Sequence, residues 1–431
     1  MTQMTLLIAL LCGIVAVPGV SFLSLGFAWL LGWEPPEKTV TKLTALCYGI
    51  VTTLALALAL GMAITGQHRV VAELGSWFVV HDYRFPLRLL ADSVSLPFQL
   101  LGAILVGVVG RFSGSYIHRD PGFFRFFLLL HLFGFGILLL FSAATFDVVI
   151  GGWELVGLTS VMLIAFFQHR DEPVKNALRA FATYRTCDIG LLVGVVLLHG
   201  QTGSAGFEAL SQIHAGEATL LGLLFLLAAM GKGAQVPFSG WLPRAMEGPT
   251  PSTAIFYGAL SVHAGAYLLL RAQPLLQESR VAAGIVVVVG LATALHGTLA
   301  GRAAADTKTG LAHASLTQLG LVFAELGMGW TTLALWHIVG HAAVRTLEFL
   351  RAPSMLHDYH HVHAAAGGAL STSGEHYKKL LPESVRHWFY RLALDRGHLD
   401  TIVERFLIGP VLRLATGLQR SGKKKTENTH E

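Results

Sequence analysis

Apolar residues in this chain fall in long runs and seldom alternate with polar ones. Cut at polar or Gly/Pro punctuation, the runs lie at about 4–32, 43–65, 91–111, 123–142, 146–167, 178–199, 219–241, 250–270, 281–300, 309–327 and 330–350. A helix needs about 20 apolar residues to cross a bilayer core, so the pattern predicts eleven spans. The first run lacks a basic segment before it and outlasts a signal-peptide core, so it is expected to stay as a span. Gln67 to Arg88 alternates apolar and polar residues around Trp77, Phe78, Val79 and Val80, which predicts a short external hairpin or an interfacial loop. After about Arg351 no run is long enough to span. Leu399, Ile402, Val403, Phe406 and Leu407 then recur at helical spacing with Asp400, Glu404 and Arg405 opposite, until Gly409-Pro410 breaks the pattern before Val411 to Leu418. That spacing predicts an amphipathic helix lying on a membrane or a partner.

Composition agrees. Of 431 residues, 53% are apolar and 13% charged, against about a quarter charged in a soluble domain. The mean hydropathy is +0.58. A disordered chain, a secreted disulfide scaffold and a coiled coil are excluded, and unbroken apolar runs argue against a β-barrel. The fold class is an all-α polytopic membrane protein with an amphipathic helical tail. Cys12, Cys47 and Cys187 lie in apolar runs without C-x-x-C spacing and read as packing residues. The net charge of +5 comes from basic residues in short loops and the C-terminal tail, so no nucleic-acid partner is expected. Lys38, Lys42, Arg111, Arg119, Arg170, Lys175, Arg179, Arg244, Arg302 and Lys308 fall on one face; Arg69, Arg84, Arg88, Arg271 and Arg280 fall on the other. The bias predicts an outside N-terminus, a cytoplasmic C-terminus and the inner (cytoplasmic) membrane as location. Lys423-Lys424-Lys425 is a solvated terminus or an anionic-lipid contact.

Charges inside the runs need a reason, since each costs about 2.5–3.5 kcal/mol on insertion. Glu154 stands inside the fifth run. Arg185 and Asp188, one helical turn apart on the sixth, form either a functional pair or a self-compensating structural one. Lys232 stands before Pro237, where a helix must break, and Pro249 and Pro251 are read as further helix breaks. If Glu154 approaches Lys232, motion of either charge alters the other's protonation; the alternative is a static bridge pinning two helices. His337, His341 and Arg345 make one stripe of the eleventh helix, suited to proton relay because imidazole titrates near neutrality. Satisfied core histidines, or haem or metal ligands, are the rival readings. Tyr257 with His263, and Lys308 with His313, are further candidates, each singly compatible with packing or loop anchoring. The cluster His357, His360, His361 and His363 reads as a solvated loop. No metal site, cofactor or catalytic residue is expected.

These residues resemble the antiporter-like proton-translocating subunits shared by respiratory complex I (its L, M and N subunits), Mrp cation/proton antiporters, membrane-bound hydrogenases and the DabB partner of DabA in inorganic-carbon uptake. The resemblance is nearest the L branch and covers about residues 40 to 350. It rests on Trp153-Glu154-Leu155-Val156-Gly157-Leu158-Thr159-Ser160, Arg185-Thr186-Cys187-Asp188, Gly231-Lys232-Gly233-Ala234-Gln235-Val236-Pro237, Trp241-Leu242-Pro243 with Ala245 to Pro251, Asp306 with Lys308, and His337 to Phe349. It implies N-terminal spans with an external loop at 1–112, an antiporter-like repeat at 113–271, a partial inverted repeat at 272–351 and a cytoplasmic tail at 352–431. It also implies a coupled pair Glu154 and Lys232 accompanied by Arg185 and Asp188, and a relay through His337, His341 and Arg345. Three departures stand out. Arg345 replaces the usual lysine, and a guanidinium does not deprotonate. Tyr257 replaces the usual histidine, with His263 nearby. The last two helices of the second repeat are not seen.

The function implied is passage of H+ or Na+ coupled to a hetero-oligomeric partner. The preferred context is a large cytoplasmic zinc-binding DabA-like subunit, which hydrates CO2 using the energy of ion flow. Other antiporter-like subunits of a complex I or hydrogenase-type pump, a non-conducting structural anchor and a haem-binding redox protein are the alternatives.

Overall fold

The computed structural model describes residues 3–80, 83–304, 306–365 and 382–410. Helices dominate it: α1 (Gln3–Leu30), α2 (Glu37–Thr65), α3 (Ser95–Tyr116), α4 (Phe123–Phe141), α5 (Phe146–Ile164), α6 (Asp171–Thr202), α7 (Ala215–Lys232), α8 (Trp241–Arg244), α9 (Thr250–Phe256), α10 (Leu260–Arg271), α11 (Gln273–Glu278), α12 (Arg280–Gly301), α13 (Thr307–Gly327) and α14 (Thr331–Ala365). Two shorter helices close the described part, α15 (Glu383–Leu394) and α16 (Leu399–Val403). Among the described residues nine helical segments are long and apolar enough to cross a membrane: α1 to α7, α9 with α10 taken together, and α12. The chain is a multi-pass membrane protein. The last two expected spans are present as the helices α13 and α14 and fall outside those nine. They carry Gln318, Glu325, His337, His341 and Arg345 among their apolar residues.

The alternating segment forms an antiparallel hairpin, β1 (Arg69–Val80) with β2 (Tyr83–Asp92), paired from Arg69–Asp92 to Val80–Tyr83. It is stitched to the turn between α4 and α5, since Leu90 N donates to Ser142 O at 2.7 Å and Ala144 N to Arg88 O at 3.1 Å. Arg69 pairs with Glu208 in the loop between α6 and α7. The α2–α3, α4–α5 and α6–α7 connections therefore share one end of the bundle, the hairpin end. At its inner edge Asp92 takes both amino groups of Arg271 at 2.7 and 3.0 Å, and Ser95 N at 2.8 Å. Burial pushes the Asp92 carboxyl up, but the Arg271 guanidinium and Ser95 outweigh it and hold it below its ordinary value.

Burial sorts the helices. Every residue of α9 and α10 is buried, whereas α1, α2 and α12 bury about a third of their most apolar windows. Leu23 and Phe27 of α1, Leu60 and Ile64 of α2, and Val288 and Leu295 of α12 face outward, as a lipid-facing surface requires. The α12–α13 contact is close: a Cβ on Gly290 would lie 2.5 Å from Ala324 N and Gly320 O, and one on Gly320 would lie 2.5 Å from Ala294 N and Gly290 O. Only glycine permits backbones to meet this way.

Two interruptions depart from the expected runs. The run 219–241 is helical only as far as Lys232, because Gly233 closes α7, Ala234 takes a positive φ of 51° and Pro237 has no N–H to offer. The groups freed there find protein partners: Val236 N donates to Thr293 Oγ1 at 3.0 Å and the Trp241 indole to Gly231 O at 3.0 Å. Such backbone is tolerated at membrane depth only where protein covers it. Pro249 and Pro251 do not break a helix. Pro249 is the N-cap of α9 and Pro251 stands in its first turn, where a missing N–H costs nothing. The following span is interrupted instead at Tyr257-Gly258-Ala259, between α9 and α10.

The tail folds back onto the bundle. α15 packs on α12, and α16 with the π turn Glu404–Ile408 packs on α6 and the Phe238–Gly240 turn, with Arg179 pairing to Glu404. The expected break at Gly409-Pro410 is not seen, since helical conformation continues through both residues after the widened π turn. The side chains of His357, His360, His361 and His363, the segment Val411 to Leu418 and Lys423 to Lys425 lie outside the described residues.

Candidate functional site

Helix α5 carries Glu154 past Arg185 and Asp188 of α6. Arg185 joins the two carboxylates, with NH1 2.5 Å from Glu154 Oε2 and NH2 2.7 Å from Asp188 Oδ2. The Trp153 indole donates to the other Asp188 oxygen at 2.6 Å. Lys232, fully buried at the end of α7, donates to the Trp153 carbonyl at 3.1 Å. Its ammonium lies 4.6 Å from the Tyr184 ring centroid and 5.3 Å from that of Trp153, a cation–π cage. Gly157 makes the room, since a Cβ there would lie 2.4 Å from Lys232 Nζ. Glu154 and Lys232 thus meet within one cluster, and the group touching Glu154 is Arg185. Two carboxylates and two cations over three helices form a network in which a change at one charge is felt at the others.

One turn beyond Gly157 the contacts become hydroxylic. Ser160 of α5 faces Ser261 of α10 at 3.3 Å, and Tyr257 donates to Ser160 O at 3.1 Å. Two residues past Ser261, His263 Nε2 lies 3.1 Å from His341 Nδ1, joining α10 to α14. His263 Nδ1 faces Ala259 O, which only accepts, so that nitrogen carries the proton. In the neutral rings His263 Nε2 then accepts from His341 Nδ1–H, leaving His341 Nε2 as a lone pair. That atom is buried and has no hydrogen-bond partner among the described residues.

His337 is held by α13, its Nδ1 2.8 Å from Glu325 Oε1 and its Nε2 2.9 Å from Gln318 Oε1. Arg345 reaches Glu348 on its own helix at 2.6 Å. Lys308 lies apart. It lines a cavity of about 900 Å³ at the end opposite the hairpin, together with Tyr116, Arg119, Arg170, Glu247 and Asp306. Sequence reasoning missed Glu325 and Gln318. The available signal was a lone carboxylate seven residues after a lone amide on the tenth run. Ser160 stood in a quoted motif without a role of its own, and Ser261 was not singled out, because a serine in a helix commonly bonds its own backbone.

The helix order and these motifs can be compared with known proteins. The family model described as NADH:quinone oxidoreductase/Mrp antiporter, TM, matches residues 147–373, and that described as NADH-Ubiquinone oxidoreductase (complex I), chain 5 N-terminus, matches residues 77–127. NADH-ubiquinone oxidoreductase chain 5 of Schizophyllum commune is 32% identical over 291 residues, 67% of this chain and 42% of the relative. Chloroplastic NAD(P)H-quinone oxidoreductase subunit 5 of Piper cenocladum is 31% identical over 359 residues, 77% of this chain and 48% of the relative. The chain thus spans less than half the length of either. The solved Mrp complex from Dietzia sp. DQ12-45-1b contains a chain that superposes with a TM-score of 0.68 at 26% identity, covering 81% of this chain and 37% of that one. A chain of the archaeal membrane-bound sulfane sulfur reductase shares the fold, with a TM-score of 0.67 at 18% identity, over 79% of this chain and 70% of that one. On the matched majority of its length, this chain belongs to the NADH:quinone oxidoreductase/Mrp antiporter membrane-subunit family.

Proposed function

We propose that this protein is an ion-translocating membrane subunit that passes H+, or Na+ in its place, through the Glu154–Arg185–Asp188–Lys232 cluster and the His263–His341 pair, coupled to a partner's activity. The observation that carries this reading is the buried Lys232, set at a helix break and against a carboxylate–guanidinium network, with the Ser160–Ser261 contact and the facing His263 and His341 imidazoles as separate polar contacts in the same bundle. Static bracing needs neither the break nor a histidine lone pair left open. In this scheme Lys232 exchanges a proton as Arg185 and the two carboxylates redistribute around it, His341 accepts at Nε2, and Arg345 supplies a fixed positive field.

A membrane partner is part of the reading. Glu154 and Arg185 each keep 37% of their side-chain surface uncovered, on a face where Leu158, Ile189 and Val196 are exposed. A charged pair facing lipid at that depth is costly, so a neighbouring subunit covers it. Trp388, Tyr390 and Phe406 of the tail are exposed at the opposite end from the hairpin and offer a second contact. We place that end in the cytoplasm of the inner membrane and assign the tail to a DabA-like zinc subunit. The L-like pump module is the second reading, favoured by the chain 5 relatives.

The test is ion flux by the assembled complex in liposomes carrying a pH dye. Lys232→Ala is expected to abolish flux with assembly intact; undiminished flux would make the chain a structural anchor. Co-purification of a zinc protein supports the DabA-like context, and iron–sulfur subunits support the pump module.

A further inference from the structure

A second polar site lies on α5 and α6 toward the hairpin end, outside the relay described above. Asp147 is 3% exposed. One of its oxygens accepts from the Tyr83 hydroxyl of β2 at 2.7 Å; the other, Oδ2, is buried with no hydrogen-bond partner among the described residues. His199 of α6 lies within electrostatic range of Asp147, its ring 4.5 Å from that of Tyr83, and its Nδ1 is likewise buried without a partner. His199 also lines a pocket of about 380 Å³ beneath the hairpin with Glu73, Arg84, Arg88 and Ser204. An orphaned carboxylate oxygen and an orphaned imidazole nitrogen thus sit between that pocket and the membrane interior.

Helix geometry aligns this site with the charge cluster. Asp147 and Glu154 are seven residues apart, and His199 and Asp188 eleven, so each pair shares a helix face with about 10 and 16 Å of rise between members. We propose that Asp147, with His199 and Tyr83, is a proton-exchange port that connects the Glu154–Arg185–Asp188 cluster to the pocket at the hairpin end. The ligand is a proton delivered by water or imidazolium. Transfer through a bridging water breaks an N–H bond on the His199 imidazolium, forms an O–H bond on Asp147 Oδ2 and leaves both groups neutral, while Tyr83 holds the other oxygen in place.

Helix-end stabilisation does not account for the arrangement. Thr145 already caps α5 through Val148 N, and a carboxylate kept for the helix dipole would lie in water, without an unpaired buried oxygen. The port rests on the proposed conduction, and the experiment separates the two. In the liposome assay of the assembled complex, Asp147→Asn is expected to lower proton flux at least ~tenfold, with Asp147→Glu restoring most of it. Flux lost in Lys232→Ala but kept in Asp147→Asn would overturn the port and leave the conduction reading standing; flux kept in both would overturn conduction. Where Asp147→Asn fails to assemble, His199→Gln supplies the readout: lost flux supports the port and unchanged flux overturns it.

Discussion

Lys232 and Arg345 are both buried in this bundle, and their surroundings differ in kind. Lys232 is enclosed by aromatic faces and a carbonyl, with Asp188 and Glu154 on two neighbouring helices, both already engaged by Arg185. Arg345 has a carboxylate on its own helix one turn away, and its Nε is buried without a partner among the described residues. An ammonium can release its proton, whereas a guanidinium keeps it. The first region therefore holds a charge that can change and shares its counter-charges; the second holds a fixed charge beside histidines that can change. In the proposed scheme the proton on α14 is taken by His341, and Arg345 keeps its charge.

The strongest way to break this contrast is to exchange the cations. Lys232→Arg keeps the charge but not the exchange, and is expected to stop flux as completely as Lys232→Ala. Arg345→Lys is expected to retain it. Equal loss in both would show that the two regions do not differ. Next in size, Asp188→Asn strips charge from Arg185 and weakens the bond from Trp153. It should lower stability by about 2 kcal/mol, reduced from the buried-pair range because Arg185 is 37% uncovered, and read as a lower melting temperature in detergent.

Glycines sharpen the comparison further. Gly157→Ala pushes a methyl against Lys232 Nζ and should cut flux by about tenfold, a barrier change near 1.4 kcal/mol. Gly340→Ala on α14 has nothing within 4 Å and should leave flux unchanged. The smallest measurable change belongs to Asp92. Asp92 is held below its ordinary value, so its contribution is fully present above about pH 4 and is lost as pH falls through the lower folded value. Melting temperature followed downward from pH 5 should drop more steeply in the native chain than in Asp92→Asn.

The sequence made the spans legible because each apolar run has one stable solution in lipid, and the hairpin legible because alternation survives in Gln67 to Arg88. The charge cluster was legible as a set of costly residues, but not its wiring. Arg185 and Asp188 are adjacent on α6, whereas the approach of Arg185 to Glu154 and of Lys232 to the Trp153 carbonyl depends on how three helices cross. Pro249 and Pro251 misled because proline in a first turn starts a helix as readily as proline in the middle ends one. The pairing of His263 with His341 and of His337 with Glu325 was hidden for the same reason: partners on different helices carry no spacing in the chain.

The glycine contact between α12 and α13 has a mechanical consequence. Backbones that meet at Gly290 and Gly320 leave no side-chain layer between them, so α12 and α13 have no room to slide closer and little to repack if they shift apart. Under the proposed conduction, any rearrangement falls to the places where helical hydrogen bonding is already interrupted, where α7 stops at Lys232 and where α9 gives way to α10. Both interruptions lie beside residues to which the proposal assigns proton exchange, Lys232 and His263.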